Sequence, residues 1–152
     1  VFPGPILAKD FFIDEYQIYE ARAHGADCIL FIVKIIDEEN LHDFPAISQN
    51  LGMDCIAEVH NESELDKAIH SGVGIIGINN RNLENLSVDL KTTERLCKLI
   101  PAGRAVVSES GIKSRSDVEY LSSLGVDAIL VGETFMRCDN VPAKLRELSE
   151  PF

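Results

Sequence analysis

Polar residues that could do chemistry stand directly behind short apolar runs of this sequence. The first run, Ile6-Leu7-Ala8, is closed by Lys9. A lysine is rarely buried without a partner, so its charge either reaches solvent past the strand, pairs with Asp10, or is used in a site. Later runs end in the same way, at Glu58, Asn79, Glu109 and the pair Gly132-Glu133. The recurrence favours a site in which Lys9 acts as an acid towards a carbonyl oxygen.

Glu58 is the predicted partner of that lysine. It lies near the end of the run Cys55–Val59, where the two-residue alternation of a strand places Ile56, Glu58 and His60 on one side. A carboxylate that projects from a strand end into a pocket needs a cation, which Lys9 can supply. His60 itself is predicted to lie beyond the strand as a solvated loop residue.

The triplet Asn79-Asn80-Arg81 follows the run Ile75–Ile78 and has two interpretations of equal weight. Asparagine is common in turns, so the triplet can be an ordinary polar turn. Two amides and a guanidinium at a strand end also suit the orientation of a hydroxylated, anionic substrate.

Two more strand ends carry small residues ahead of a predicted helix, in Ser108–Gly111 and in Val131–Glu133. Backbone N–H groups at such a junction can bind a phosphate, and glycine leaves them unobstructed. In (βα)8 barrels the phosphate site often lies in the loops after the last two strands. The predicted phosphate-binding residues are therefore Ser110, Gly111, Gly132 and Glu133.

The elements that would position these residues alternate strictly. Glycine closes a helical pattern before a β-rich run at Gly25, Gly72 and Gly125. The predicted strands are residues 6–9, 28–34, 54–59, 75–79, 105–109 and 128–132. Strict alternation predicts an all-parallel sheet, either open and doubly wound or part of a (βα)8 TIM barrel. Because nearly every strand ends in a functional group, the barrel is favoured, as a truncated piece with about six βα units.

Composition limits the classes of function. The formal charge of −11 argues against nucleic acid as a partner and makes local backbone binding of an anion more necessary. No run approaches the roughly 20 apolar residues of a membrane span, and no signal peptide is evident. The four cysteines are scattered, which predicts free thiols, no metal site and a cytoplasmic protein. The chain begins with Val1 rather than Met, and it is expected to be a segment of a longer protein.

Specific strings then give the sequence a resemblance to the indole-3-glycerol phosphate synthases along almost its whole length. The strings are Lys9-Asp10-Phe11 with Tyr16-Gln17-Ile18, Glu58-Val59-His60, Gly77–Leu83, Val107–Ile112, and Leu130–Glu133 with Met136-Arg137. The resemblance implies a (βα)8 barrel lyase of tryptophan biosynthesis. Such an enzyme closes the ring of 1-(2-carboxyphenylamino)-1-deoxyribulose 5-phosphate and releases carbon dioxide and water.

By the same resemblance, Lys9 would be the general acid and Glu58 a carboxylate that transfers a proton or holds lysines. Asn79 and Glu109 would position the hydroxyl and amine groups of the substrate, and Arg81 would brace the loop beside it. Backbone amides around Ser110, Gly111, Gly132 and Glu133 would bind the phosphate. No metal or organic cofactor is expected, because rearomatisation drives the decarboxylation.

One departure from the family pattern qualifies this expectation. Family members carry Glu-x-Lys followed by Ser-Pro-Ser in their first strand, and neither string occurs here. Residues 1–152 therefore match strands three to eight, as a single incomplete barrel domain that lacks the first two βα units. The open edges predict self-association or pairing with a complementing chain, and the 152-residue chain alone is expected to be inactive or impaired.

Two other functions remain open. The chain could be another phosphate-binding barrel enzyme, such as a phosphoribosylanthranilate isomerase. It could also be a non-catalytic domain that keeps only phosphate binding.

Overall fold

The fold is an alternation of parallel strands and helices. The computed structural model describes residues 3–149, and the chain forms two compact units, Val1–Ile76 and Gly77–Phe152. The strands are β1 (Leu7–Lys9), β2 (Cys28–Ile32), β3 (Asp54–Val59), β4 (Ile75–Asn79), β5 (Ala105–Glu109) and β6 (Ala128–Leu130). The helices are α1 (Glu15–Ala23), α2 (Glu38–Asn50), α3 (Glu62–His70), α4 (Lys91–Cys97), α5 (Arg115–Ser123), α6 (Glu133–Arg137) and α7 (Val141–Ser149).

The strands follow one another in the sheet in chain order, from β1 to β6. This confirms the predicted parallel six-unit piece of a (βα)8 barrel. The prediction of a single domain over residues 1–152 stays a prediction, and residues 1, 2 and 150–152 lie outside the described residues.

In the first unit, β1 pairs with β2 and β2 pairs with β3, both in parallel. The register sets Ile32 opposite Glu58, at the end of the β2–β3 ladder. The sequence predicted that the second strand continues to residue 34, and this is wrong. Ile32 is the last residue of β2 that pairs with β3, because the next residues, Val33–Ile35, form a single 3-10 turn. Behind the strands, the rings of Phe31 and Phe44 pack edge to face with centroids 6.0 Å apart.

In the second unit, β5 and β6 are parallel partners. A buried apolar cluster formed by Ile112, Val118, Leu121 and Leu148 joins the loop after β5 to α5 and α7. Ser114 caps α5: its side chain accepts a hydrogen bond from the backbone N–H of Asp117. In turn, the Asp117 carboxylate accepts a hydrogen bond from the backbone N–H of Ser114. This capping box fixes where the helix begins after the β5 end.

The predicted glycine junctions are confirmed, since Gly25, Gly72 and Gly125 all have positive φ. Two of them, Gly25 and Gly125, stand two residues before an aspartate. The side chain of each aspartate forms a hydrogen bond to the backbone at the beginning of the adjacent strand. The Asp27 carboxylate accepts the backbone N–H of Ile6 at 2.8 Å, and the Asp127 carboxylate accepts that of Val106 at 2.8 Å. The same device therefore fixes the strand beginnings in both units.

Candidate active site

The first unit contains an ion pair between the ends of two strands. Lys9 closes β1 and Glu58 stands one residue before the end of β3, and Nζ of Lys9 donates to Oε2 of Glu58 at 3.0 Å. The Glu58 side chain is 1% exposed, whereas that of Lys9 is 42% exposed. The predicted contact is thus confirmed. A buried carboxylate is ionised at low cost only when cations and donors surround it, and the half-exposed amine remains accessible to a small molecule.

His60 is largely buried beside this pair, whereas the sequence predicted a solvated loop residue. Its side chain is 11% exposed, and its ring nitrogen Nε2 lies 3.3 Å from Oε1 of Glu58. Its other ring nitrogen, Nδ1, lies 2.9 Å from Oε2 of Glu64 in the first turn of α3. The prediction of a solvated loop residue was wrong because the turn after β3 folds back onto the start of α3.

Helix capping holds Glu64 in place. Asn61 is the N-cap of α3: its side-chain oxygen accepts the Glu64 N–H at 2.9 Å, and its Nδ2 donates to Oε1 of Glu64 at 2.7 Å. The other carboxylate oxygen also accepts the backbone N–H of His60 at 2.8 Å. These contacts fix Glu64 at the start of α3.

The surroundings of His60 change its proton affinity. Burial alone would lower the pKa of the imidazole, but hydrogen bonds to the carboxylates of Glu58 and Glu64 outweigh it and raise the pKa to about 9. Burial likewise opposes ionisation of Glu64, and its bonds to His60 nevertheless hold the pKa of that carboxyl below its usual range. In the first unit, Lys9, Glu58, His60 and Glu64 therefore form a row in which basic and acidic side chains alternate.

In the second unit, the two asparagines at the end of β4 have different surroundings. The Asn79 side-chain oxygen accepts the backbone N–H of Arg81 at 2.9 Å, which shapes the turn that follows. Asn80 is 2% exposed. Its Nδ2 donates to the Ser108 hydroxyl and to the backbone carbonyls of Glu109 and Ser110, at 2.9–3.1 Å.

The acceptor oxygen of the same Asn80 amide is also used. It accepts the N–H and the hydroxyl of Thr93 on α4 at 3.1 and 2.8 Å, and that hydroxyl lies 2.8 Å from the hydroxyl of Ser108. Thr93 and Ser108 are fully buried. This polar cluster, formed by Asn80, Thr93 and Ser108, ties the end of β5 to the end of β4 and to α4.

The predicted phosphate-binding junction after β5 has an unusual backbone. Glu109 ends the strand with 1% exposure, and both Ser110 and Gly111 then have positive φ, +64° and +84°. Positive φ is uncommon for serine, so the carbonyl bond from Asn80 to Ser110 helps to hold this turn. A Cβ at Gly111 would overlap Cγ1 of Val88, so the loop before α4 packs directly on this glycine.

The predicted phosphate-binding junction after β6 contacts the residues that follow β4 in the second unit. Arg81 donates from a terminal guanidinium nitrogen to Oε2 of Glu133 at 2.5 Å and is paired in an isolated bridge with Val88. Nε of Arg137 lies 2.8 Å from the other Glu133 oxygen. Gly132 is the N-cap of α6, and nothing lies within 4 Å of the position of a Cβ there. The Glu133 carboxylate is thus occupied by two arginines.

Within each unit the structure brings one pair of the predicted residues into contact. It pairs Lys9 with Glu58 in the first, and Arg81 with Glu133 in the second. Sequence reasoning gave no role to His60 and none to Thr93. The alternation that placed Glu58 and His60 on one side was the available signal for His60; for Thr93 the sequence offers none, because its partners are distant in the chain.

Two of the four cysteines are poorly suited to act as nucleophiles. Cys28, Cys55, Cys97 and Cys138 are free thiols. Burial raises the pKa of Cys55 to about 12 and that of Cys28 to about 11. Both are therefore protonated near neutral pH and act as small apolar side chains.

Known structures share this arrangement of strands and helices. The chain superimposes on 3-hexulose-6-phosphate synthase from Salmonella typhimurium with a TM-score of 0.83 at 14% identity, over 96% of this chain and 72% of the other. It matches a mandelate oxidase with a TM-score of 0.77 at 19% identity, over 97% of this chain and 57% of the oxidase. With the observed topology, these matches define the chain as a piece of a TIM barrel.

Sequence comparison identifies the family. The family model for indole-3-glycerol phosphate synthase matches residues 1–148. The synthase of Acetivibrio thermocellus is 56% identical over 145 residues, which cover 95% of this chain and 56% of that protein. The synthase of Caldanaerobacter subterraneus subsp. tengcongensis is 57% identical over 135 residues, 89% of this chain and 52% of that protein. The chain belongs to the indole-3-glycerol phosphate synthase family, and it spans about half the length of these relatives.

No helix within residues 3–149 is long and apolar enough to cross a membrane. The same residues contain no group of three or more histidine, cysteine, aspartate or glutamate side chains arranged to hold a metal ion.

Proposed function

We propose that this chain supplies catalytic and binding residues for the synthesis of indole-3-glycerol phosphate in tryptophan biosynthesis. The reaction converts 1-(2-carboxyphenylamino)-1-deoxyribulose 5-phosphate into indole-3-glycerol phosphate, carbon dioxide and water. Membership of the family supports the reaction. The observation that carries the assignment to this chain is the ion pair between Lys9 and the buried Glu58 at two strand ends.

Lys9 acts as the general acid in this proposal. Its ammonium donates a proton to the carbonyl oxygen of the substrate while a carbon of the aromatic ring attacks the carbonyl carbon. The ring carboxylate then leaves as carbon dioxide, and its bonding electrons restore aromaticity. The new hydroxyl takes up a proton and departs as water, while the neighbouring methylene carbon loses a proton and its C–H bonding electrons form the double bond of the indole. Glu58 keeps Lys9 protonated between turnovers, because an adjacent carboxylate favours the charged amine.

Asn79 and Glu109 position the hydroxyl and amine groups of the substrate, and Arg81 holds the loop beside them. The phosphate is bound by backbone N–H groups around Ser110, Gly111, Gly132 and Glu133. The positive φ of Ser110 and Gly111 supports this assignment, since such turns direct successive N–H groups outward. The Glu133 side chain takes no part in anion binding, because its charge is paired with Arg81 and Arg137.

A chimera tests these roles. The matching 145 residues of the Acetivibrio thermocellus synthase are replaced by this chain, and turnover is followed by the fluorescence of indole-3-glycerol phosphate. Lys9→Met and Glu58→Gln are expected to lower kcat by a factor of at least about 100, the range of general acid–base catalysis. Lys98→Met is the matched control, because this lysine is 65% exposed and pairs only with Glu94 among its recorded partners.

Turnover of the Lys9→Met chimera within about threefold of the parent would remove Lys9 from the mechanism. If the chimera binds the substrate without any turnover, the non-catalytic phosphate-binding function is favoured instead. The 152-residue chain by itself is expected to show little or no turnover, because Glu-x-Lys and Ser-Pro-Ser are absent from its sequence.

Two further parts of the proposal concern the setting of the protein. Strand β1 pairs with β2, and β6 pairs with β5, so each leaves an edge that can pair with another chain. Sedimentation over a range of concentrations is expected to show self-association, and a constant monomer mass would contradict it. A cytoplasmic location is supported by the four free thiols, and cell fractionation checks it.

A further inference from the structure

His60 lies between two carboxylates, and this position fixes its state. Nε2 lies 3.3 Å from Oε1 of Glu58, and Nδ1 lies 2.9 Å from Oε2 of Glu64. A neutral imidazole has one N–H and one lone pair, so one of these contacts would set a lone pair against a carboxylate oxygen. The imidazolium instead places positive charge beside both carboxylates: Nδ1 is hydrogen-bonded to Glu64, and the 3.3 Å approach of Nε2 to Glu58 is an ionic contact without hydrogen-bond geometry.

The same geometry fixes the direction of the Glu58 carboxylate. Oε2 receives the Lys9 amine at 3.0 Å, and Oε1 faces His60. The hydrogen bond from Lys9 and the ionic contact with His60 act on different oxygens, so rotation of the carboxylate would lengthen at least one of them. Glu64 in turn is held by Asn61 and by the His60 backbone N–H at the start of α3.

We propose that His60 is a positioning residue for the Lys9–Glu58 pair: as a cation between Glu58 and Glu64, it fixes the Glu58 carboxylate that Lys9 contacts and ties it to the first turn of α3. This inference rests on the proposed function, in which that pair does the acid chemistry. It adds a residue that works through Glu58 rather than on the substrate. The charged groups within 4 Å of the His60 ring include Glu58 on β3 and Glu64 on α3, and Lys9 on β1 contacts the far oxygen of Glu58.

Nuclear magnetic resonance of the 152-residue chain tests the charge of His60. Its ring nitrogens are titrated from pH 5 to 10 in the parent chain and in the Glu58→Gln and Glu64→Gln variants. The midpoint is expected near the raised pKa of about 9 in the parent. Each variant is expected to lower it by about one pH unit or more, as the loss of a neighbouring carboxylate does. A parent midpoint near 6.5, the ordinary value for histidine, would overturn the proposal.

A second measurement reports positioning rather than charge. The ammonium protons of Lys9 exchange slowly with water while Glu58 accepts a hydrogen bond from them, and Lys9→Arg assigns the signal. His60→Leu frees one side of the carboxylate and is expected to accelerate this exchange by about fivefold, the factor that one hydrogen bond contributes. His60→Gln keeps a single donor and is expected to recover part of the effect.

His70→Leu is the matched control, since His70 lies at the other end of α3 with a side chain that is 72% exposed. It is expected to leave the Lys9 signal unchanged. If His60→Leu keeps a folded spectrum and the Lys9 exchange rate does not change, His60 does not position the pair.

The two proposals fail separately. Loss of the proposed function would appear as full turnover in the Lys9→Met and Glu58→Gln chimeras, with the His60 titration as expected. Loss of the positioning role would appear in the two magnetic resonance measurements, whatever the chimeras do. His60→Gln in the chimera is then expected to lower kcat by about tenfold and leave KM within about threefold, because the substrate does not contact His60.

Discussion

Replacing Gly111 by alanine tests the packing of the turn that we assign to the phosphate. The glycine has φ of +84°, and a Cβ at this position would overlap Cγ1 of Val88 and reach Cδ2 of Leu90 at 3.6 Å. Alanine therefore meets two separate costs, one in its own backbone and one in the loop that packs against it. Both costs lie within the second unit.

The magnitude follows from these two terms. A left-handed conformation costs an alanine about 1–2 kcal/mol, and the reduced freedom of the unfolded chain returns about 0.4–1 kcal/mol. Overpacking typically adds about 1–3 kcal/mol. The lower part of that range applies, because Val88 is 39% exposed and its side chain can move. Gly111→Ala is thus expected to lower the free energy of unfolding by about 2–3 kcal/mol.

Gly125→Ala is the control for the backbone term alone. Gly125 has φ of +85° and nothing within 4 Å of its Cβ position, so we expect a loss of about 1 kcal/mol. Urea unfolding followed by far-ultraviolet circular dichroism measures both variants. The steric term is isolated by Val88→Ala, which is expected to recover about 1 kcal/mol in the Gly111→Ala background only. Equal losses in the two glycine variants, with no recovery by Val88→Ala, would refute the reasoning.

Two other changes act through contacts inside a single unit. Asn80→Ala removes a buried amide that is hydrogen-bonded to the end of β5 and to Thr93. It is expected to lower the free energy of unfolding in urea by about 3 kcal/mol, against about 1 kcal/mol for Thr93→Val. Equal losses in the two variants would contradict the view that Asn80 holds the cluster together. The stabilisation from His60 is present in full below pH 6.5, because its pKa is raised on folding, and it is lost as the pH rises towards about 9. The free energy of unfolding of the parent chain, measured relative to His60→Gln, is therefore expected to fall by an amount on the order of 3 kcal/mol between these pH values; a difference that stays constant with pH would contradict it.

The strands and their functional ends were predictable because burial on both faces leaves a plain signal. Continuous apolar runs, three of them preceded by a glycine junction, gave all six strands, and the polar residues at their ends stood out against them. Lys9 and Glu58 could be paired before any coordinates, since a buried carboxylate at a strand end needs a cation. The limits of the strands were less certain, as β2 shows. Where a strand ends depends on how far the adjacent strand pairs with it, and the sequence of the strand itself does not give this information.

His60 and Asn80 were harder to predict. Their partners are distant in the sequence or have another evident structural role. Asn61 and Glu64 have the spacing of an ordinary helix cap, and this spacing gives no sign that the Glu64 carboxylate also contacts the His60 ring. Asn80 was hidden in a triplet that suits any polar turn. The positive φ of Ser110 could not be predicted either, because serine seldom adopts it, and a bond from the Asn80 amide to the Ser110 carbonyl helps to hold it.

Each unit therefore holds its candidate site residues in place through contacts within the protein. In the first, the Glu58 carboxylate is held between Lys9 and His60; in the second, the β5 end is held by Asn80. Groups fixed in this way lose little freedom when a substrate binds, and binding energy is then available for the chemical step. If this is the purpose of the two arrangements, a change at His60 or Asn80 should affect turnover far more than it affects binding of inorganic phosphate to the chain. Proportional losses in both would show that these residues merely support the fold.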